Sequence, residues 1–555
     1  MEKRRVIKTA LALSLALGLG FAYSGTAHAI SGWTNETGEW QYLDRDDMPI
    51  KNGWKQSKGY WYYLSSEGTI LKSRIFKWGG GTFYVDGDGK MLKNSWLEVT
   101  PEMDPDGNYQ PGWYYFGSDG KAYVNQGGGF KRKVDGKDYA FDENGKMLTG
   151  FIDKTGNVID TEDPFVGTMY YASDDGALYN NKWLNYGYIS DTTGIGGSNI
   201  QSTVSGRSYS DYGSMWMYFD SEGKKFATDT DTIKEKTIGG ELYAFDEYGI
   251  MVPWWSKASV SNAQPANPTM ENDVKYFSGY DGGKMLKDKW IWMYPSEIMD
   301  QKDFIDQESS WFYADSKGKI LKNTIRTING KKYAFDGLGR MQTGFVVFNN
   351  TDVEFVARYD MDAFTSEQFA NGDIYGGNKN DLYLFSPNKL NDGSMQTGEI
   401  QIELADGVRT FGFSPTTGKA YGSKDILGKK TNRYYINGLR LDADEDYGYG
   451  VVAVTEEVAY SPRILFYQVV DTSGRIVKGN KKVVKDKEGA YFIIMDNKLA
   501  AYESRYTPKW HTKNGVTGYY QYDSDSKKYL DLIVAAPTNS PDLSAIPTKE
   551  ILYKP

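Results

Sequence analysis

Cysteine is absent from this chain, so disulfides, thiolate nucleophiles and cysteine-ligated metals are excluded together. Histidine is nearly absent: of the 2 present, His28 lies near the N-terminus and His511 stands in a Lys-Trp-His-Thr segment that reads as surface. No G-x-S-x-G, Walker loop or H-E-x-x-H occurs. Two carboxylates would suffice for glycoside hydrolysis, but that reaction needs a compact domain, and the one stretch without a repeating pattern, about 441–555, is short for one. The expectation is a protein that is not an enzyme and holds no cofactor. Basic clusters are missing beyond the first few residues and the formal net charge is -9, which disfavours nucleic acid and anionic lipid as partners.

The sequence has a single long apolar run, from Ala10 to Ala22. It follows Lys3, Arg4, Arg5 and Lys8 and precedes Ala27-His28-Ala29, the order of a secretory signal peptide, and it is too short for an ordinary membrane span. Residues 1–29 are therefore expected to be cleaved, leaving a secreted, more acidic protein at the cell wall or cell surface with no membrane contact. An uncleaved anchor is the alternative.

What the chain has in abundance is glycine and aromatics, with 62 Gly, 44 Tyr and 15 Trp. Such a composition suits short β-hairpins better than helices. The organising unit is Gly53 to Ile70, G-W-K-Q-S-K-G-Y-W-Y-Y-L-S-S-E-G-T-I. A Gly-Trp is followed by Trp-Tyr-Tyr-Leu with Trp61 seven places after Trp54, then by a polar turn ending in Gly68. Trp33 and Trp40 repeat the spacing one unit earlier. The turn recurs as Asp86-Gly87-Asp88-Gly89-Lys90-Met91 and Asp142-Glu143-Asn144-Gly145-Lys146-Met147, where Gly accepts positive φ and Asp bonds the backbone two residues on. The paired tryptophans recur as Trp96/Trp113, Trp183/Trp216 and Trp290/Trp311, with all the extra chain inserted at one place in the unit. In a repeat array such insertions emerge on one face, often the binding face. Leu184 to Met215 and Ile291 to Ser310 are thus candidate partner-facing loops. After Trp311 the rhythm weakens, and beyond about Leu441 no register is legible. Ile464 to Val470 and Tyr491 to Met495 suggest continuing strands, either as degenerate turns or as a small β-rich cap.

Gly-Trp, Trp-Tyr-Tyr-Leu, polar turn and Gly-x-Met together resemble the choline-binding, or cell-wall-binding, repeat of Gram-positive surface proteins and phage lysins. The Lys-Tyr-Ala-Phe-Asp copies, as at Lys332 to Asp336, also resemble the repeats of clostridial toxins and glucan-binding enzymes. The resemblance implies an all-β fold, a solenoid of β-hairpin repeats, with choline of teichoic acid held between successive turns. It covers 30–344 well, 345–440 as degenerate repeats, and leaves 441–555 as a divergent β-rich region. The implied partner is a choline-bearing teichoic acid or similar glycan of the cell wall. An adhesin or extracellular-matrix protein meeting a host or matrix partner through the insertions is the alternative.

Strand alternation sends the first and third rings of each Trp-x-Tyr to one face, and such rings can box a quaternary ammonium through cation–π attraction. The resemblance places sites at Trp40, Tyr42 and Trp54, and at Trp61 and Tyr63, where Ile75 leaves a wall open beside Trp78. It adds Trp113, Tyr115 and Phe130, then Met169, Tyr171 and Trp183. Trp216 and Tyr218, and Trp290, Trp311 and Tyr313 facing Ile325, complete the set. The competing reading makes these aromatics the core of the stack. No metal is expected: Asp442, Asp444 and Asp446 approach a calcium loop, but Gly448 stands one place late and Ala453 occupies the place of the bidentate acid.

Overall fold

The computed structural model describes residues 31–159, 167–188, 214–229, 233–255, 274–279, 282–295, 299–370, 380–386, 392–422, 427–428, 433–458 and 461–553. The expected signal peptide and residues 189–213 of the long insertion lie outside them. Nearly all regular structure is β, mostly in sheets of two or three antiparallel strands, and helix is confined to short pieces such as Gln301–Ile305 and Ser366–Ala370.

Each repeat is a hairpin closed by a polar turn. Gly53–Ser57 pairs with Tyr60–Leu64 in a register that sets Trp54 opposite Tyr63 and Gln56 opposite Trp61. The two-residue connection Lys58-Gly59 has positive φ at both positions (48° and 85°), the backbone twist that matches a hairpin. In the next turn an Asp organises the backbone: the Asp86 carboxylate accepts the amides of Asp88 and Lys90, each at 2.9 Å. Asp142, Asp220, Asp315 and Asp336 repeat this pattern. The residue just past the turn then joins neighbouring repeats. Met91 N–H donates to Trp61 O at 2.8 Å while Leu92 N–H donates to Tyr84 O at 3.0 Å, so one short segment bonds the preceding hairpin and its own. Ala122 to Thr82, Met147 to Trp113, Met285 to Leu242 and Met395 to Lys332 make the same bond between successive hairpins.

The Gly-Lys-Met signature has a packing cause. A Cβ on Gly120 (φ 80°) would lie 2.6 Å from Met91 Sδ, and Gly176, Gly318 and Gly418 meet Met147, Met285 and Met395 in the same way. The methionine after one turn fills the space that the glycine of the next leaves empty.

The chain divides into two compact units, one centred on 31–186 with 216–226 and one on 227–553. The first is built of hairpins throughout. The second begins with hairpins and then thickens: a three-stranded sheet centred on Gly344–Asn349 is followed by a five-stranded sheet, then by the long hairpin Tyr449–Val458 with Ser461–Asp471. Apolar clusters form there, among them one around Phe345, Phe411 and Tyr434 and another around Val451, Tyr467 and Phe492. The repeat turn nonetheless continues past Leu441, where the sequence shows no register, since Asp471 accepts from Ser473 and Arg475 at 2.9 Å each.

Candidate aromatic binding sites

Register places a tryptophan of the first strand against the second-last residue of the second strand in each of five hairpins. The next hairpin supplies the third ring from the middle of its own second strand. Trp33 thus meets Tyr42 at 5.3 Å and Tyr62 at 5.4 Å between ring centroids. Trp54 meets Tyr63 and Phe83, each at 5.2 Å. Trp96 meets Tyr115 at 5.1 Å and Tyr139 at 4.8 Å. In the second compact unit Trp255 meets Tyr276 at 4.8 Å and Phe312 at 4.9 Å, and Trp290 meets Tyr313 at 5.1 Å and Tyr333 at 4.8 Å. These contacts are all edge-to-face, the geometry favoured by ring quadrupoles, worth ~0.5–1.5 kcal/mol each beyond area burial. The triads are ladders of packed rings first.

Openings occur where a further tryptophan meets the ladder. Trp290 and Trp311 stand 6.2 Å apart at 87°, Trp183 and Trp216 6.3 Å apart at 83°, and Trp54 and Trp78 6.4 Å apart at 90°. Trp311 is 42% exposed and Trp78 41%, so each of the corners Trp290/Trp311 and Trp54/Trp78 has one ring open to solvent. A cation seated in such a corner lies within cation–π reach of both rings. Trp292, directly across the strands from Trp311 at 5.1 Å, widens the first corner. The protein's own ammonium groups already use comparable faces: Lys55 Nζ sits 4.8 Å from the Tyr42 ring and Lys131 Nζ 4.6 Å from that of Tyr170. Burial raises the phenol pKa of Tyr63, Tyr115, Tyr218 and Tyr313, and burial with a hydrogen bond to Asp392 pushes Tyr333 up to about 12, so these walls stay neutral.

Of the tryptophan pairs marked by spacing, the structure brings together Trp183 with Trp216, beside Tyr218, and Trp290 with Trp311, beside Tyr313. Other expected groupings separate. Trp54 does not close a box on Trp40 and Tyr42; its rings are Tyr63, Phe76, Trp78 and Phe83. Trp40 is exposed, and Trp61 is half-buried opposite Gln56 rather than beside Trp78. Trp113 is exposed opposite Glu98, whereas Phe130, expected beside it, is buried against Tyr170. Met169 joins Phe130's cluster, and Tyr171 packs on Phe151 and Tyr179. The physical reason is common to all: the closing wall is the next hairpin's middle ring, not its Gly-Trp. Alternation turns that middle ring to the opposite face, toward the preceding hairpin. On this account the middle rings Tyr62, Phe83, Tyr139, Phe312 and Tyr333 stand outside the expected set, as do Trp33, Trp96, Trp255 and Tyr276, which complete their triads. The Tyr of Lys-Tyr-Ala-Phe-Asp was the available signal, since it occupies the same middle place in Tyr333.

The insertion at Ile291 to Ser310 is docked rather than free where it is described. Asp300 caps the helix Gln301–Ile305, and the Arg340 guanidinium reaches Asp300 at 3.2 Å, Asp303 at 2.7 Å and Asp336 at 2.9 Å. Asp442 pairs with Arg440, and among the described residues no group of three or more His, Cys, Asp or Glu could hold a metal ion. No helix of the described residues is long and apolar enough to cross a membrane.

Fold and rings together define an array of β-hairpin repeats joined by aromatic ladders. Among solved structures, the chain is similar to the modular autolysin LytC from Streptococcus pneumoniae at 17% identity and a TM-score of 0.30, over 56% of this chain and 53% of that one. It is similar to choline binding protein F of the same organism at 15% identity and a TM-score of 0.29, over 60% of this chain and 100% of that one. An alternansucrase in complex with isomaltononaose matches at 17% identity and a TM-score of 0.18, over 74% of this chain and 23% of that one. The chain therefore spans about half the length of the autolysin it matches. No protein-family model and no curated protein matches.

Proposed function

We propose that this is an exported, non-catalytic protein that docks on a cell-wall polymer through quaternary ammonium groups, such as the choline of a teichoic acid, held at the tryptophan corners. The observation that carries this reading is the perpendicular pair Trp290/Trp311 at 6.2 Å, with Trp311 half exposed and the ladder behind it neutral. A quaternary ammonium suits such a corner because it needs no hydrogen-bond acceptor, only ring faces. Each contact contributes ~0.5–2 kcal/mol, so one corner binds weakly. Several corners on one chain raise the avidity on a polymer by ~10²–10⁴ over a single site.

Retention on a choline-bearing resin, with elution by free choline, tests this directly. Trp290→Ala together with Trp311→Ala is expected to weaken retention at least tenfold, and a tryptophan-fluorescence titration should saturate with choline. Failure of the wild-type chain to bind the resin would sink the choline reading. Saturable binding to a neutral glucan that choline does not displace would assign the corners to sugar instead.

A further inference from the structure

One anomaly outside the aromatic ladders, among the described residues, is a carboxyl group without a hydrogen-bond partner on either oxygen. Glu550 ends the short 3-10 turn Thr548–Glu550, is 1% exposed, and has no hydrogen-bond partner on either carboxylate oxygen. A buried ionised carboxylate without a partner is among the costliest arrangements in a fold. The charged groups facing it aggravate the problem. Asp486 and Glu488 come from the turn between Lys482–Lys485 and Tyr491–Met495, and Asp486 is itself buried with its Oδ2 unpartnered. From the strand Lys498–Glu503, Tyr502 faces the same three carboxylates, which with burial raise its phenol pKa. Among the described side chains no cation offsets Glu550.

The strand directly after Glu550 makes its protonation consequential. Ile551–Tyr553 adds a parallel strand to the edge of Tyr449–Val458, with Ile551 opposite Val451 and Tyr553 opposite Val452. Its side chains divide between two cores: Leu552 packs on the cluster of Phe345 and Phe411, and Ile551 on that of Val451 and Phe492. Leu552 also fills the space above Gly450, where a Cβ would lie 2.7 Å from it.

We propose that Ile551–Tyr553 is a proton-operated latch, docked while Glu550 is neutral and released as that carboxyl ionises, so that rising pH frees the edge of Tyr449–Val458. Desolvation, then Asp486 and Glu488, move the Glu550 pKa from 4.5 to about 7 in the docked state. A released Glu550 loses its proton near 4.5 and a docked one near 7, so the docked state is fully favoured below the lower value. It loses about tenfold in equilibrium constant per pH unit between the two and nothing more above. The latch is closed in mildly acid surroundings and weakened in neutral ones.

Hydrogen exchange of the full chain, with protection factors corrected for the intrinsic pH dependence, reads the opening. Protection across Tyr449–Val458 and Ile551–Tyr553 is expected to fall about tenfold per unit from pH 5 to pH 7 and then level off. The hairpin Gly53–Ser57 with Tyr60–Leu64 should stay flat and serves as the folding control. Glu550→Gln, which cannot ionise, should abolish the slope and keep the strand protected at pH 8. Asp486→Asn, which removes one facing charge, should end the fall at a lower pH. A flat wild-type profile, an unaltered slope in Glu550→Gln, or an unmoved window in Asp486→Asn would each overturn the latch. Restoration of protection at pH 8 by added calcium would also overturn it, because a cation rather than a proton would then neutralise Glu550.

Discussion

At the scale of single residues, the repeat is written by Asp and Gly in the turns more firmly than by its tryptophans. Gly59 and Gly120 separate two reasons for glycine. Both have positive φ, but a Cβ on Gly59 meets nothing within 4 Å, whereas on Gly120 it strikes Met91. Gly59→Ala should therefore cost only the left-handed backbone penalty of about 1 kcal/mol, and Gly120→Ala clearly more, ~2–3 kcal/mol, in chemical denaturation. Equal losses would show that Met91 yields without strain. Buried phenols give a second expectation. Tyr333 and Tyr383 are both pushed up to about 12, mainly by burial, so the unfolded chain ionises first as pH rises through 10. Stability is whole below pH 10 and should fall between there and about 12. A thermal midpoint that is unchanged from pH 9 to pH 11 would contradict this.

At the scale of elements, the hairpins arise from local chemistry and the insertions do not. The connection Asn329-Gly330 joins Thr324–Ile328 to Lys331–Phe335 with φ of 49° and 81°, as its dipeptide foretells. Nothing in Ile291 to Ser310 announces that its helix will be held by Arg340, which lies a full hairpin downstream. Arg340→Met keeps the stem and removes the three ion pairs. It should raise hydrogen exchange across Asp300–Asp306 at least tenfold while leaving Lys331–Phe335 protected. Loss of protection in both segments would mean that Arg340 holds the hairpin itself, through Asp336 and Gln342, rather than the insertion.

At the scale of the whole molecule, each repeat derives its stability from neighbours, since a two-stranded hairpin is marginal alone. The edge-to-face triads of the aromatic ladder tie hairpins together, and under the proposed function its tryptophan corners also hold the ligand. Removing a ladder ring should therefore affect stability and binding together. Trp290→Ala is expected to lower both, whereas Trp311→Ala, at an exposed ring, should weaken retention on choline resin with a change in stability below ~1 kcal/mol. A large stability loss in Trp311→Ala would place that ring in the ladder instead.

The amino-acid sequence by itself determined the hairpin unit, its turns, the place of its insertions and the aromatic character of its sites, because each of these depends on residues a few positions apart. Register within a hairpin was not among them: Trp54 stands opposite Tyr63 of its own hairpin rather than beside Trp40 and Tyr42. Only the tertiary structure decided which rings meet. The third ring belongs to the next hairpin, and insertions of unequal length make the separation from Trp33 to Tyr62 differ from that between Trp96 and Tyr139. Contact there is set by the bond that each post-turn residue makes to the hairpin before it, such as Met91 to Trp61. The burial of Glu550 was likewise hidden, since a Lys-Glu-Ile-Leu segment reads as surface until a strand from another part of the chain closes over it.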